Sequence, residues 1–471
     1  MSRLVIVSNR VPVPGDRNPA AGGLAVALAD AVTPGSLWFG WSGSRATVTA
    51  STPNIKNAGG VTYATIDIGE TDYRRFYVGF ANSTLYPLLL YRLGLVNFRQ
   101  EDYAGYRAVN KAFAVALAPL LEPDDLIWIH DYQLMTLGAE LRALGVTQRI
   151  GFFLHTPFVP PALFCALPRA HELLDALCAC DVIGFHTADY REAFLQCVSV
   201  ILSTAADTDG CFVHRERLVQ AMVDPIGIDV GAFTAAAVRA AAGVVTNRLA
   251  LSLAGRQLAV SVDRLDYAKG LANRIQALDH LFKNHPEHRR HVTFLQVAAP
   301  SREELEAYRT MRRELDRVVG DVNGRYSEPD WTAIRYITRP VRRTTLAGYY
   351  RIARLGVVTP MRDGMNLVAK EYIAAQDPAD PGVLVLSRFA GAAEELQDAL
   401  IVNPFDAEEI AEALHRGLVM PLEERQNRHK ALLARIRVSS AQRFCERFLA
   451  VLDNAPPALP TPVGALQGAV P

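Results

Sequence analysis

The chain has 471 residues, half of them apolar, and its 49 basic residues balance its 49 acidic ones. That length exceeds one ordinary core, so two domains of roughly 200 residues each are expected. The charge balance argues against a dedicated nucleic-acid or membrane-surface protein while leaving room for local basic pockets.

Leu4–Val7 is a short β-branched run that ends in Ser8-Asn9-Arg10, a first strand with an arginine at its C-terminal end. The run is too short for a signal peptide, and no later stretch approaches membrane-spanning length. Six scattered cysteines form no C-x-x-C pair, which reads as reduced thiols in a soluble, cytoplasmic protein. Ala21-Gly22-Gly23 leads into a helical pattern. Glycines there would let a ligand approach the backbone, and a plain tight turn is the alternative.

Leu37–Gly43 reads as a second strand, with Trp38 and Trp41 along it. From Tyr73 to Tyr106 the chain is dense in aromatic and arginine residues without a clean period. This is either a packed helix cluster or the wall of a polar pocket, with Tyr77, Tyr86 and Arg99 as candidates. Three apolar runs then end in His-Asp or His-Thr: Asp125–Asp131, Arg149–Thr156 and Asp181–Thr187. Apolar runs alternating with helical patterns imply a parallel sheet covered on both faces. Ligands of such sheets sit beyond the carboxyl ends of the strands, a rule that selects Arg10, Asp131 and His155. The plain alternative for each histidine is a satisfied structural role.

Asp207-Thr208-Asp209-Gly210 has the look of an aspartyl-phosphate motif, but no apolar strand precedes it; a surface turn is the better reading. After Pro225–Asp229, the Ala-rich helical stretch 232–253 is expected to carry the chain into a second sheet. Gln257–Val262 is its first strand. The loop 263–270 that follows holds Arg264 and Lys269, a phosphate clamp or else a solvated pair. Leu271–Phe282 is an amphipathic helix and His291–Ala298 a strand. Ser301-Arg302-Glu303-Glu304 reads as a capped helix start.

Leu355–Thr359 is an apolar run running into Arg362-Asp363-Gly364-Met365-Asn366 and the helical Leu367–Gln376. Strand, glycine turn and helix place free N–H groups and a positive helix end beside an anion, here the pyrophosphate of a nucleotide sugar. Glu371 lies four residues after Leu367 on the same face, where a carboxylate suits ribose hydroxyls. Gly382–Ser387 and Leu400–Asn403 complete the sheet, helical segments 407–419 and 421–454 follow, and the proline-rich, uncharged tail 455–471 is expected to be disordered. No Gly-x-x-x-x-Gly-Lys-Ser/Thr loop occurs, against a kinase or ATPase, and no Asp-x-Asp strand end offers a metal site. Cations would then stabilise the leaving group unaided.

SNR at 8–10, AGGLA at 21–25, LWFGWSG at 37–43, IWIHDY at 127–132, IGFFLH at 150–155, DRLDYAKG at 263–270, TPMRDGMNLVAKEYIAAQ at 359–376 and FAGAAEEL at 389–396 occur in order. On these blocks the chain resembles the trehalose-6-phosphate synthases, the retaining glycosyltransferase family 20, from Arg3 to about Leu452. The resemblance implies an α/β fold of two Rossmann-like domains facing a cleft, the GT-B architecture. It implies residues 1–235 as the acceptor side, joined by helix 440–454, and 236–439 as the donor side.

By that resemblance the chain transfers glucose from UDP-glucose to glucose 6-phosphate, with no metal or other cofactor. His155 and Asp363 would be catalytic. Gly22, Gly23, Arg264, Lys269, Leu367, Val368, Ala369, Lys370 and Glu371 would bind the donor, and Arg10, Tyr77, Tyr86, Asp131 and Arg302 the acceptor. Its partners would be these small substrates alone, without nucleic acid or membrane, in a homotetramer. The chain departs from the family pattern at Tyr86-Pro87, where bacterial relatives usually have Trp. Gln133 follows His130-Asp131-Tyr132 where the family block has His, and Thr156–Pro160 is also altered. The other readings are a pseudo-glycosyltransferase that couples cyclitols and a non-catalytic sugar-phosphate sensor.

Overall fold

A computed structural model describes residues 2–15, 28 and 32–456. Residue contacts divide the chain into two units, Met1–Pro225 with Phe444–Pro471, and Ile226–Arg443.

The first unit is built on a nine-stranded sheet. Its strands are β1 (Leu4–Arg10), β2 (Leu37–Ala46), β3 (Asn54–Ala58), β4 (Val61–Gly69), β5 (Leu126–His130), β6 (Arg149–Phe153), β7 (Val182–Phe185), β8 (Cys211–His214) and β9 (Arg217–Val223). The order is β3-β4-β2-β1-β5-β6-β7-β9-β8, with β3 and β8 antiparallel to their neighbours at the two edges and every other pair parallel. Strand order reverses at β1, so the crevice beyond the ends of β1 and β5 is the unit's switch point. β5 is buried along its whole length, as a central parallel strand covered on both faces must be.

Trp128 stacks on Phe448 (centroids 4.7 Å) and lies against Phe444 (5.4 Å), so the helix Ala441–Asn454 packs beneath this sheet. A Cβ at Gly151 would stand 2.6 Å from the Phe448 ring, and one at Gly184 2.8 Å. The two glycines let that helix approach the strands.

The second unit carries a six-stranded, all-parallel sheet: β10 (Gln257–Arg264), β11 (Val292–Ala299), β12 (Ile334–Ile337), β13 (Leu355–Val358), β14 (Val383–Ser387) and β15 (Leu400–Val402). The order β12-β11-β10-β13-β14-β15 is that of a dinucleotide-binding fold, with the switch point between β10 and β13. Leu271, Ile275, Leu278 and Leu281 of the helix Leu271–Asn284 bury one apolar face in this core with Phe294, Val357 and Leu414.

Several expectations change. The stretch 232–253 is two helices, Val230–Ala241 and Val244–Leu253, bent by 64° at the intervening residues. It does not carry the chain across, because the division falls earlier, at Pro225. Val230–Ala241 packs on the helices Arg343–Ile352 and Leu367–Ala375 of the second unit, and Thr234 Oγ1 donates to Ala374 O at 2.8 Å. The segment 421–454 breaks at Ser439-Ser440 into Leu422–Val438 and Ala441–Asn454, and the unit boundary follows at Arg443. Asp207–Gly210 is a turn, closed by Asp207 Oδ1 accepting from the N–H groups of Asp209 and Cys211. Of the tail, only Ala455 and Pro456 lie within the described residues. All six cysteines are free thiols. Among the described residues no single helix is long and apolar enough to cross a membrane.

Candidate functional site

In the second unit both sides of the switch point converge. The loop after β10 and the turn after β13 are joined by the Met361 N–H donating to Ala268 O (2.7 Å). Gly270 makes this approach possible: its φ is +63°, and a Cβ there would lie 2.5 Å from Thr359 O. Lys269 Nζ then reaches Asp363 Oδ2 at 2.5 Å, a contact of two mostly buried groups. Asn366, with φ +76°, donates from Nδ2 to the same Asp363 oxygen (2.9 Å) and caps the Ala369 N–H through Oδ1 (3.3 Å). Ala369 is thereby satisfied, and Leu367 and Val368 are left to present the free N–H groups of the helix Leu367–Ala375.

Arg274 holds this arrangement from below. Its guanidinium is fully buried, donating to Asp263 Oδ2 (2.8 Å), Gln296 Oε1 (3.2 Å), Thr359 Oγ1 (3.0 Å), Lys269 O (3.0 Å) and Ser261 Oγ. Sequence reasoning missed it, although the spacing carried a signal: three residues after Leu271, it falls on the apolar face of that helix. The two acids of the loop differ. Burial raises the Asp263 carboxyl above its ordinary value despite Arg274. For Asp266, burial acts the same way, but Arg302, Arg264 and the Ala268 N–H outweigh it and hold the carboxyl low.

Arg302 is not at a capped helix start. It sits at φ +48° in the turn after β11, and the helix begins only at Glu306, with Leu305 as an uncapped N-terminus. Its guanidinium bonds Asp266 Oδ2 (3.1 Å) and the Tyr308 hydroxyl (2.6 Å). Arg302 thus lies in the second unit beside Asp266 of the loop after β10, while the other residues expected to bind the acceptor are in the first unit. Arg264 ends β10 with an exposed side chain. Lys370 is fully buried, pairing with Glu395 Oε2 (2.5 Å) and Ile226 O (2.8 Å); the ammonium pins the helix, so any ligand contact falls to the backbone. Glu371 accepts from Arg343 Nε (2.7 Å), and burial nevertheless raises its carboxyl above the usual range.

In the first unit Arg10, Asp131 and His155 stand at or just past the ends of β1, β5 and β6. Arg10 ends β1 in register with Trp41 and lies so close to Gly43 that a Cβ there would touch its guanidinium. It lines a polar cavity of about 700 Å³ with Ser42, Ser44, Lys56, Thr65 and Asp67. Asp131, at φ +76°, accepts the His155 N–H on Oδ1 (3.2 Å) while its own N–H donates to Phe153 O (2.8 Å). A non-glycine residue in that conformation is strained. Tyr77 packs on Tyr73 and Trp41 (5.3 and 6.1 Å), within the π-helical segment Arg74–Leu85. Tyr86, nearly buried, faces Tyr132 (5.4 Å), which is held by Asn82 Oδ1 at 2.7 Å. Gln133 is buried beside Asn110, which donates to its carbonyl at 3.1 Å.

His155 belongs to an imidazole cluster that the sequence showed only as three separate strand ends. Its Nε2 lies 3.0 Å from His130 Nδ1, and its ring sits 5.2 Å from that of His186. Burial, then His186, pushes His155 well below its ordinary value; burial, then His155, does the same to His130. Both are neutral at pH 7. Gly22 and Gly23 lie outside the described residues.

Each unit carries a Rossmann-type sheet with charged groups at its switch point, the arrangement of an α/β enzyme that binds a nucleotide or phosphorylated ligand past its strand ends. The family model for glycosyltransferase family 20 matches residues 2–454. The trehalose-6-phosphate synthase of Cronobacter sakazakii is 44% identical over 464 residues, covering 98% of this chain and 97% of that protein. That of Sinorhizobium fredii is 46% identical over 453 residues, covering 95% and 98%. The UDP-forming α,α-trehalose-phosphate synthase from Burkholderia xenovorans, solved with glucose-6-phosphate, superposes with a TM-score of 0.93 at 44% identity, over 96% of this chain and 100% of that one. An E. coli structure bound with UDP-2-fluoro glucose gives 0.91 at 42%, over 97% and 100%. The chain belongs to glycosyltransferase family 20.

Proposed function

We propose that the chain transfers glucose from UDP-glucose to glucose 6-phosphate, forming α,α-trehalose 6-phosphate and UDP with retention of configuration and without a metal. The observation that carries this reading is the Lys269–Asp363 contact at the second unit's switch point, below the helix start at Leu367, in a chain matched by the family along its length. Lys269, Arg264 and the Leu367 and Val368 N–H groups would take the diphosphate. When Lys269 turns to the phosphate, Asp363 is released to accept from a hydroxyl of the glucose. Developing charge on the departing diphosphate meets fixed cations and dipoles, the largest ordinary source of rate acceleration.

His155, neutral, can donate or accept a hydrogen bond at the transferred sugar without placing a positive charge beside an oxocarbenium-like centre. Asp131 and Arg10 would orient the acceptor, and Arg302 would bind its phosphate. No enzymic nucleophile is needed if the leaving phosphate takes the acceptor's proton on the same face. The reading extends to a cytoplasmic homotetramer. The relatives named above are synthases, which favours this over cyclitol coupling or a sensor.

The experiment is an acceptor-by-donor panel with purified protein: UDP release and a non-reducing disaccharide phosphate are expected from UDP-glucose and glucose 6-phosphate. No product with any nucleotide-glucose would overturn the reading. Arg302→Lys keeps a charge for Asp266 but loses the planar fork. The KM for glucose 6-phosphate should then rise on the order of tenfold, the worth of a lost hydrogen bond to a charged group, with UDP affinity little changed. An equal loss of both would remove Arg302 from the acceptor site.

A further inference from the structure

At the far end of the helix Leu271–Asn284, about 20 Å from the donor loop by helical rise, the second unit holds a cluster of imidazoles and carboxylates unrelated to the transfer reaction. His285 ends this helix, and Glu287 and His288 follow in the turn Pro286–His288. Glu412 and His415 lie three residues apart on the helix Ala407–Val419 and therefore on one face. The rings of His285 and His415 stack at 3.7 Å, 10° from parallel. Glu287 Oε1 lies 3.4 Å from His285 Nδ1 and 3.8 Å from His415 Nδ1. One atom from each of the three residues falls within 4.8 Å of the others.

We propose that His285, Glu287 and His415 bind a divalent transition-metal cation of the zinc class, tying the Pro286–His288 turn to the helix Ala407–Val419.

Two imidazole nitrogens and a carboxylate oxygen are a donor set that zinc accepts in tetrahedral geometry. The arrangement around the ligands fits as well. His285 directs its other nitrogen, Nε2, to Glu412 Oε1 at 2.9 Å. A carboxylate on the distal nitrogen is how metal-binding histidines are ordinarily held in orientation and tautomer. His288 Nε2 lies 2.9 Å from His415 Nδ1, a hydrogen bond that requires a single proton between the rings. A metal taking the His415 Nδ1 lone pair displaces that hydrogen bond, and each neutral ring keeps its one proton, His415 on Nε2.

The test is titration of the full-length protein, stripped with chelator, with Zn²⁺ by calorimetry and with Co²⁺ by visible absorption. The expected result is a site of one ion per chain, with a rise in Tm on zinc addition. In His285→Ala/His415→Ala the affinity of that site should fall at least about tenfold, and Glu412→Gln should weaken it by about 10- to 100-fold, as loss of such supporting carboxylates does. Absence of binding in the wild type, or equal binding in the double variant, overturns the proposal. If the double variant does not fold, Glu287→Gln on the exposed turn replaces it, and unchanged zinc affinity there is equally fatal.

Discussion

The two switch points hold polar groups by different means. In the second unit the frame is ionic: Arg274 is buried among Asp263, Gln296, Thr359 and the Lys269 carbonyl, and Lys269 is left to meet Asp363. In the first unit it is aromatic and imidazole: Trp41, Tyr73 and Tyr77 pack together, Tyr86 leans on Tyr132, and His130 bonds His155. The contrast follows the proposed ligands. A diphosphate leaving group demands fixed positive charge, and buried cations need buried acids to hold them. A sugar demands flat faces and neutral hydrogen-bonding groups, with only a few charges to fix its orientation.

The strongest way to break the comparison is Arg274→Met. It strands the buried Asp263, and loss of one partner of a buried pair costs about 3–5 kcal/mol. Denaturant unfolding should show that loss; a change below about 1 kcal/mol would mean the network is not the frame described. Next is Lys269→Met, which should lower kcat/KM for UDP-glucose roughly 10²- to 10³-fold, as removal of one charge-stabilising donor does, while the KM for glucose 6-phosphate stays near its original value. Equal damage to both substrates would dissolve the assignment of this unit to the donor.

On the other side, Asp131→Asn keeps the side chain's shape at this strained position but gives up the charge. It should reduce kcat/KM for glucose 6-phosphate by about 10- to 100-fold, the worth of a hydrogen bond to a charged group, and leave donor binding intact. The smallest effect is on pH. His130 and His155 have folded values well below their ordinary 6.5, so the unfolded chain binds protons more readily than the native one. Their contribution is intact above pH 6.5 and is lost as pH falls below it, by up to about 1.4 kcal/mol per pH unit for each group. Thermal melts between neutral and mildly acid pH should show the decline, and His130→Asn should flatten it.

The central strands were legible because parallel strands covered on both faces are written as continuous apolar runs, as in Leu126–His130 and Leu355–Val358. The edge strands were not. Asn54–Ala58 has four exposed residues of five, and Ile334–Ile337 only one buried residue of four, so neither carries an apolar run. The rule that ligands lie past strand ends selected Arg10, Asp131 and His155 as candidates, and the glycine turn after Leu355–Thr359 pointed to Asp363. It could not find Arg274, whose role depends on oxygens from four separate elements. Nor could it foresee that Arg302 turns at φ +48° before its helix starts, because arginine gives no sign of a left-handed conformation. The histidine cluster was hidden for a related reason: His130, His155 and His186 are neighbours only because β5, β6 and β7 are.

The helix Ala441–Asn454 has a consequence for synthesis. Phe444, Phe448 and Leu452 are buried, and Phe448 fills the space left by Gly151 and Gly184, so the first unit lacks part of its core until the ribosome has passed residue 452. The second unit, Ile226–Arg443, is continuous in the chain and is fully synthesised before Phe444, the first of those buried aromatic residues. The first unit can therefore complete its core only after the second has been made, against the usual amino-terminal-first order. The first half of the nascent chain waits, its apolar strands incompletely covered, for a segment made more than two hundred residues later.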